Sequence, residues 1–179
     1  MQQLSKFILE RLWGWKIEGS YPDEIKKFIT IAVPHTHWED FPLGVLFRSV
    51  TGRDIKFLAK ASLFKGPFGW FFKWQGGFPI NRSKSQNKVD SIIEIFDNHE
   101  AFALALSPEG TRKKVTEWKT GFYYIAKGAG IPIIGVAFDF EHKTLRISKP
   151  FYPGEDPIKD IQEIKAFFKG VVGRVPEYS

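Results

Sequence analysis

The stretch PHTHWED, residues 34–40, places two histidines and two carboxylates within seven residues. Three chemistries compete for such a cluster. A histidine whose second ring nitrogen is held by a carboxylate is a general base near neutral pH. Two histidines and a carboxylate can ligate a divalent metal. A polar turn needs neither. His35 and Asp40 are five positions apart, off-face in a regular helix but able to approach across a strand-to-helix turn. A histidine at a helix start also faces the positive end of the dipole, which favours neutral imidazole. The metal reading lacks the H-E-x-x-H helical spacing and any further ligand cluster, so base-and-partner leads and no metal is expected. His37 and Glu39 share a face of an extended stretch and are expected in support of the pair or at the surface.

Two further clusters carry polar chemistry. SPEGTR, residues 107–112, has the character of an anion site. Arg112 offers a planar fork of donors suited to phosphate. Gly110 lets a backbone approach closely, and Thr111 adds a hydroxyl. Glu109 is unusual beside a phosphate; it could orient Arg112 or accept a substrate hydroxyl. GGFPINR, residues 76–82, adds Arg82 behind two glycines and Pro79. Each arginine alone reads as a solvated surface charge. The signal is that all three clusters fall at strand boundaries.

The elements that must position them read as alternating strands and helices. Strands are expected in WKIEG, FITIAVP, KFLAKASLF, AFALALS, IPIIGVAFDF and TLRISKP. Helices are expected in DFPLGVLFRSV and GFYYIAKGAG, and in NKVDSIIEIFDN, where Val89, Ile92, Ile93 and Phe96 follow the i, i+3, i+4, i+7 pattern. DPIKDIQEIKAFFKG has Asp156 as N-cap, Pro157 at the first helical position and Gly170 beyond the end. LSKFILERLW places Leu4, Phe7, Ile8 and Leu12 on one stripe, and residues 1–14 form a candidate amphipathic helix. The pattern predicts one domain over residues 1–179: an α/β layered domain with a mixed, largely parallel sheet flanked by helices. Sites in such sheets lie where strands end and loops begin.

At 179 residues the chain can bury a real core, and 43% hydrophobic with 26% charged residues is ordinary for a globular protein. The absence of cysteine excludes disulfides, Cys-ligated zinc and a thiol nucleophile. The net charge of +6 suggests an anionic partner. Nucleic acid is disfavoured, because the lysines are dispersed and no nucleic-acid motif is present. No apolar run approaches the ~20 residues that span a bilayer.

On these blocks the chain resembles the glycerolipid acyltransferases typified by 1-acylglycerol-3-phosphate acyltransferase, over roughly residues 15–151. HTHWED is similar to the family's H-x4-D block, GGFPINR to its second block and SPEGTR to its P-E-G-T-R block. IPIIGVAF is similar to its fourth, apolar block around Pro132. Pro34 stands where the family often has Asn. The resemblance implies transfer of a fatty acyl group from acyl-CoA or acyl carrier protein to a lysophospholipid hydroxyl, with no cofactor. It implies His35 as general base, Asp40 as its orienting partner, and Arg82, Glu109, Gly110, Thr111 and Arg112 around the glycerol phosphate. Other acceptors, such as an amino-acid lipid, stay open. So do hydrolysis of the thioester and a non-catalytic lipid-binding role.

LFKGPFGWFFKWQGG, residues 63–77, concentrates aromatic rings among lysines. Phe68, Trp70, Phe71 and Trp74 could meet a membrane or an acyl chain, or pack in the core. The expected location is cytoplasmic, peripheral to the inner face of the membrane.

Overall fold

The apolar runs assemble into a single seven-stranded sheet in a computed structural model that describes residues 2–67, 69–80 and 88–179. The strands are β1 (Lys16–Glu18), β2 (Lys27–Val33), β3 (Ile55–Lys60), β4 (Gly77–Ile80), β5 (Phe102–Leu106), β6 (Ile133–Asp139) and β7 (Thr144–Ile147). Their order across the sheet is β1-β7-β6-β2-β5-β3-β4. The five strands from β6 to β4 run parallel. β7 runs antiparallel to β6, and β1 pairs parallel with β7, so one edge is reversed. The cause is the short link over residues 140–143: a parallel return needs a crossover of a dozen or more residues. The sheet is therefore mixed and largely parallel, as the alternation predicts.

Each central strand sends alternate side chains to two cores. Ile29, Ile31 and Val33 of β2 join Ile133 and Ala137 of β6 on one face. There they meet Ile92 and Phe96 of α4 (Lys88–Asp97), Phe122 and Ile125 of α5 (Gly121–Ala129), and Ile164 of α6 (Pro157–Ala166). Phe28, Ile134, Val136 and Phe138 face the other way, onto Leu43 and Phe47 of α2 (Asp40–Thr51) and onto Leu9. Covering both faces is what makes these strands read as nearly continuous apolar runs. Thr30 is the polar exception on the second face. Its hydroxyl donates to Ile134 O at 2.9 Å and meets Tyr21 Oη at 2.9 Å, so the Thr30 hydroxyl is paired.

The last helix is built as its sequence predicts. Asp156 accepts from the N–H groups of Ile158 and Lys159, each at 3.1 Å, with Pro157 at the first position. Three other segments differ from expectation. KFLAKASLF is not one strand: β3 ends at Lys60 opposite Ile80, and residues 61–64 turn as a 3-10 helix where pairing with β4 runs out. Part of GGFPINR is itself the edge strand β4, where Pro79 is tolerated. Glycine lets the preceding helical segment lie close against this strand, since a Cβ on Gly77 would lie 2.7 Å from Phe72 O.

The third difference is at the start of the chain. α1 (Gln2–Phe7) continues into a π-helical turn over residues 8–12, closed by Trp13 N–H on Ile8 O at 2.9 Å. The wider turn changes which residues face inward. Leu9 is fully buried, while Leu4, Phe7 and Leu12 of the expected stripe are more than half exposed.

Candidate active site

Val33 closes β2 at the carboxyl edge of the sheet, and a cis peptide bond leads into Pro34. Residues 35–39 then turn the chain, and Asp40 is the first residue of α2. This turn brings His35 and Asp40 together. Nδ1 of His35 lies 2.9 Å from Oδ2 of Asp40. The same oxygen accepts the N–H groups of Thr36 at 2.9 Å and His37 at 3.0 Å. Asp40 is buried, and its Oδ1 has no partner among the described residues. A carboxylate only accepts, so Nδ1 carries a proton, and in the neutral ring the lone pair is left on Nε2. The His35 side chain is 29% exposed, enough to meet a substrate. An imidazole with one nitrogen tied and the other basic can take a proton from a hydroxyl.

The loop after β5 closes on this turn from the side. Glu109 Oε2 accepts from the N–H of His35 at 2.7 Å and from Oγ of Ser107 at 3.2 Å. Burial pushes its carboxyl above the ordinary range, against the two hydrogen bonds. Gly110 follows with φ of 64°, a left-handed conformation that suits glycine. Its N–H donates to Ser107 O at 3.1 Å, and the Lys119 side chain lies over it. Thr111 and Arg112 are exposed, as are Lys113, Lys114 and Lys119. Among the described residues these cations have no carboxylate partner. They make a positive rim on and after the loop that carries Glu109.

His37 and Glu39 do form a neighbouring pair, with Nδ1 3.5 Å from Oε1. Arg174 Nε donates to the other Glu39 oxygen at 3.0 Å. The N–H of Val175 donates to Thr36 Oγ1 at 3.2 Å. The C-terminal segment thus supports the turn from behind, which sequence reading missed. No local signal links residues 139 positions apart. Ser107 was missed as a partner of Glu109, although it adjoins the motif.

Arg82 and Phe68 lie outside the described residues. Trp70, Phe71 and Trp74 belong to α3 (Gly69–Trp74) and are 68%, 37% and 57% exposed, so they are not core. Leu12, Trp13, Trp15, Trp38, Phe140 and Arg174 are among the residues lining an open groove of about 1100 Å³. No helix among the described residues is long and apolar enough to cross a membrane.

Comparison with known proteins converges on one group. The family model described as Acyltransferase matches residues 17–139. The chain is 26% identical over 145 residues to the 1-acyl-sn-glycerol-3-phosphate acyltransferase of Haemophilus influenzae, covering 77% of this chain and 60% of that protein. It is 33% identical over 129 residues to the enzyme of the same name from Saccharomyces cerevisiae, covering 68% and 41%. The chain thus spans about half the length of the curated relatives it matches. Among solved structures, the 1-acyl-sn-glycerophosphate acyltransferase PlsC from Thermotoga maritima superposes with a TM-score of 0.67 at 21% identity, covering 94% of this chain and 75% of that one.

Proposed function

Because the chain belongs to the acyltransferase family, we propose that it moves a fatty acyl group from an acyl thioester to the hydroxyl of a lysophospholipid such as 1-acylglycerol-3-phosphate. The carrying observation is the tied Nδ1 of His35, 2.9 Å from Asp40, at the carboxyl edge of the sheet. Nε2 takes the proton of the acceptor hydroxyl, and the oxygen attacks the thioester carbonyl. The tetrahedral intermediate collapses with loss of the thiolate, which recovers the proton from the imidazolium. Asp40 stabilises that imidazolium and holds the ring in the required tautomer. The products are the doubly acylated lipid and a free thiol, and no enzyme-bound acyl group is formed.

The acceptor phosphate binds at the positive rim, on Arg112 with Gly110 and Thr111, and with Arg82. Support comes from the exposure of Arg112 and its unpaired state among the described residues. The donor is acyl-CoA or acyl carrier protein. Trp70, Phe71 and Trp74 meet the membrane that supplies the acceptor, at the cytoplasmic inner face. Their exposure on one short helix with Lys73 supports this, since aromatic rings and a cation suit an interface.

The test is acyl transfer by purified protein beside His35→Ala. A long-chain acyl thioester, on CoA and on carrier protein, is offered with lysophosphatidate and other acceptors, an amino-acid lipid among them. Acceptor-dependent thiol release with a new lipid, lost in His35→Ala, supports the reading. Thiol release without acceptor marks a thioesterase. Transfer only to an acceptor without phosphate removes the role of Arg112. Inert wild-type protein favours lipid binding without catalysis.

A further inference from the structure

We propose that Glu109 is a positioning residue for the general base: its carboxylate anchors the main chain of His35 and so aims the imidazole, while other groups hold the acceptor phosphate. What the base does rests on the acyltransferase reading above; how Glu109 acts on it rests on geometry. The Glu109 side chain turns inward, 8% exposed, and Oε2 is engaged by His35 N–H at 2.7 Å and Ser107 Oγ at 3.2 Å. A phosphate placed against that carboxylate would meet like charge.

The grip on the turn is shared between two carboxylates. The main-chain N–H of His35 ends on Glu109, and those of Thr36 and His37 end on Asp40. Three successive N–H groups are thus satisfied by two acids, one at the start of α2 and one in the loop after β5. His35 is held at its main-chain N–H by Glu109 and at its ring by Asp40. Fixing the main chain and the ring leaves little freedom for χ1 and χ2, so Nε2 has one direction. Without Glu109, a main-chain donor loses its partner and only the hold on the ring remains.

Gly110 divides the labour of the loop. The left-handed turn at this residue separates the inward carboxylate from Thr111 and Arg112, which are exposed. One short motif therefore serves two purposes, aiming the base from inside and meeting the anion from outside. Among the described residues, the charged groups bonded to His35 are Asp40 and Glu109, and His37, Glu39 and Arg174 form a neighbouring linked set.

The experiment compares wild type, Glu109→Ala, Glu109→Gln and Arg112→Ala, reading kcat and the acceptor KM with lysophosphatidate and a long-chain acyl-CoA. Glu109→Ala is expected to lower kcat about 100-fold, the scale of a misplaced reacting group. Its acceptor KM is expected to stay within about threefold of wild type, because no ground-state contact is lost. Glu109→Gln keeps an oxygen that accepts from His35 N–H and recovers most of kcat. Arg112→Ala instead raises KM. A raised KM with normal kcat in Glu109→Ala would overturn the proposal, as would a Gln variant no better than Ala. A second arm needs no substrate: NMR couplings of the His35 side chain, which report χ1 and χ2, in wild type, Glu109→Gln and Glu109→Ala. One rotamer is expected in wild type and the Gln variant and rotamer averaging in Ala; a single unchanged rotamer in Ala counts against the proposal. If wild type acylates nothing, the acyltransferase reading falls while the NMR arm still reports on Glu109.

Discussion

His35 and His142 each meet an aspartate through Nδ1 at 2.9 Å, Asp40 in one case and Asp139 in the other. Both aspartates are buried. Both pairs also lie at the carboxyl edge of the parallel strands, His35 after β2 and His142 after β6. What differs is what closes in from the rest of the chain. His142 sits on the turn between β6 and β7, its side chain 67% exposed, in a contact between residues three apart. Among the described residues, the Asp139 side chain binds only the ring and the N–H of that one histidine. Asp40 binds three successive residues, Glu109 comes from the loop after β5, and Val175 comes from the C-terminal segment. A hairpin can make a histidine–aspartate pair by itself. A base with a fixed direction needs other segments to hold it.

The comparison can be broken most sharply at the histidines. His35→Ala is expected to lower kcat/KM about 10³-fold, the scale of general base catalysis. His142→Ala is expected to leave it unchanged in the same assay. Equal losses would remove the distinction between the two pairs. Asp40→Asn against Asp139→Asn comes next. The first removes the charge that holds the His35 tautomer and is expected to cost at least about 10²-fold in kcat; the second is expected to cost none.

Support from behind the turn predicts a smaller effect. A Cβ on Gly173 would lie 2.6 Å from Thr36 Oγ1 and 3.0 Å from a Pro34 carbon. Gly173→Ala is therefore expected to destabilise by about 1–3 kcal/mol, through overpacking. Denaturant unfolding measures the loss, and kcat is expected to fall with it.

The smallest effects are in pH dependence. Burial raises the Glu109 carboxyl above its ordinary value, so this group favours the folded state most when protonated. That contribution is present below the unfolded pKa and is lost as pH rises through the folded one. The melting temperature of Glu109→Gln relative to wild type is thus expected to climb as pH rises from about 4 towards 7. The hydrogen bond and negative charge of Asp139 raise the His142 ring above the ordinary imidazole value. Its contribution is present below that value and fades as pH rises through the folded pKa. NMR titration of the ring checks the direction, and Asp139→Asn is expected to reverse it.

Much of this was legible in the sequence because it is local. The apolar alternation of β2, the helical spacing of Ile92 and Phe96, and the Asp156–Pro157 start of α6 depend on neighbours within a turn or two. The H-x4-D spacing is local as well, since a single turn from β2 into α2 joins His35 to Asp40. Failures of sequence reading began where a partner lay far away. The inward-facing Leu9 of the N-terminal segment was missed because a π-helical turn overrides the 3.6-residue period there. The strand β4 within GGFPINR was not foreseen, because its strand character comes from pairing with β3.

The sequence by itself determined the alternation of elements and the local histidine–carboxylate pair, because period, capping and turn chemistry act over a few residues. Only the tertiary structure decided that Glu109 would cross 74 positions to hold His35, and that residues 174 and 175 would brace the turn. Hydrogen bonds of that range leave no period in the chain; they exist because the parallel sheet brings the ends of β2, β5 and β6 to one edge.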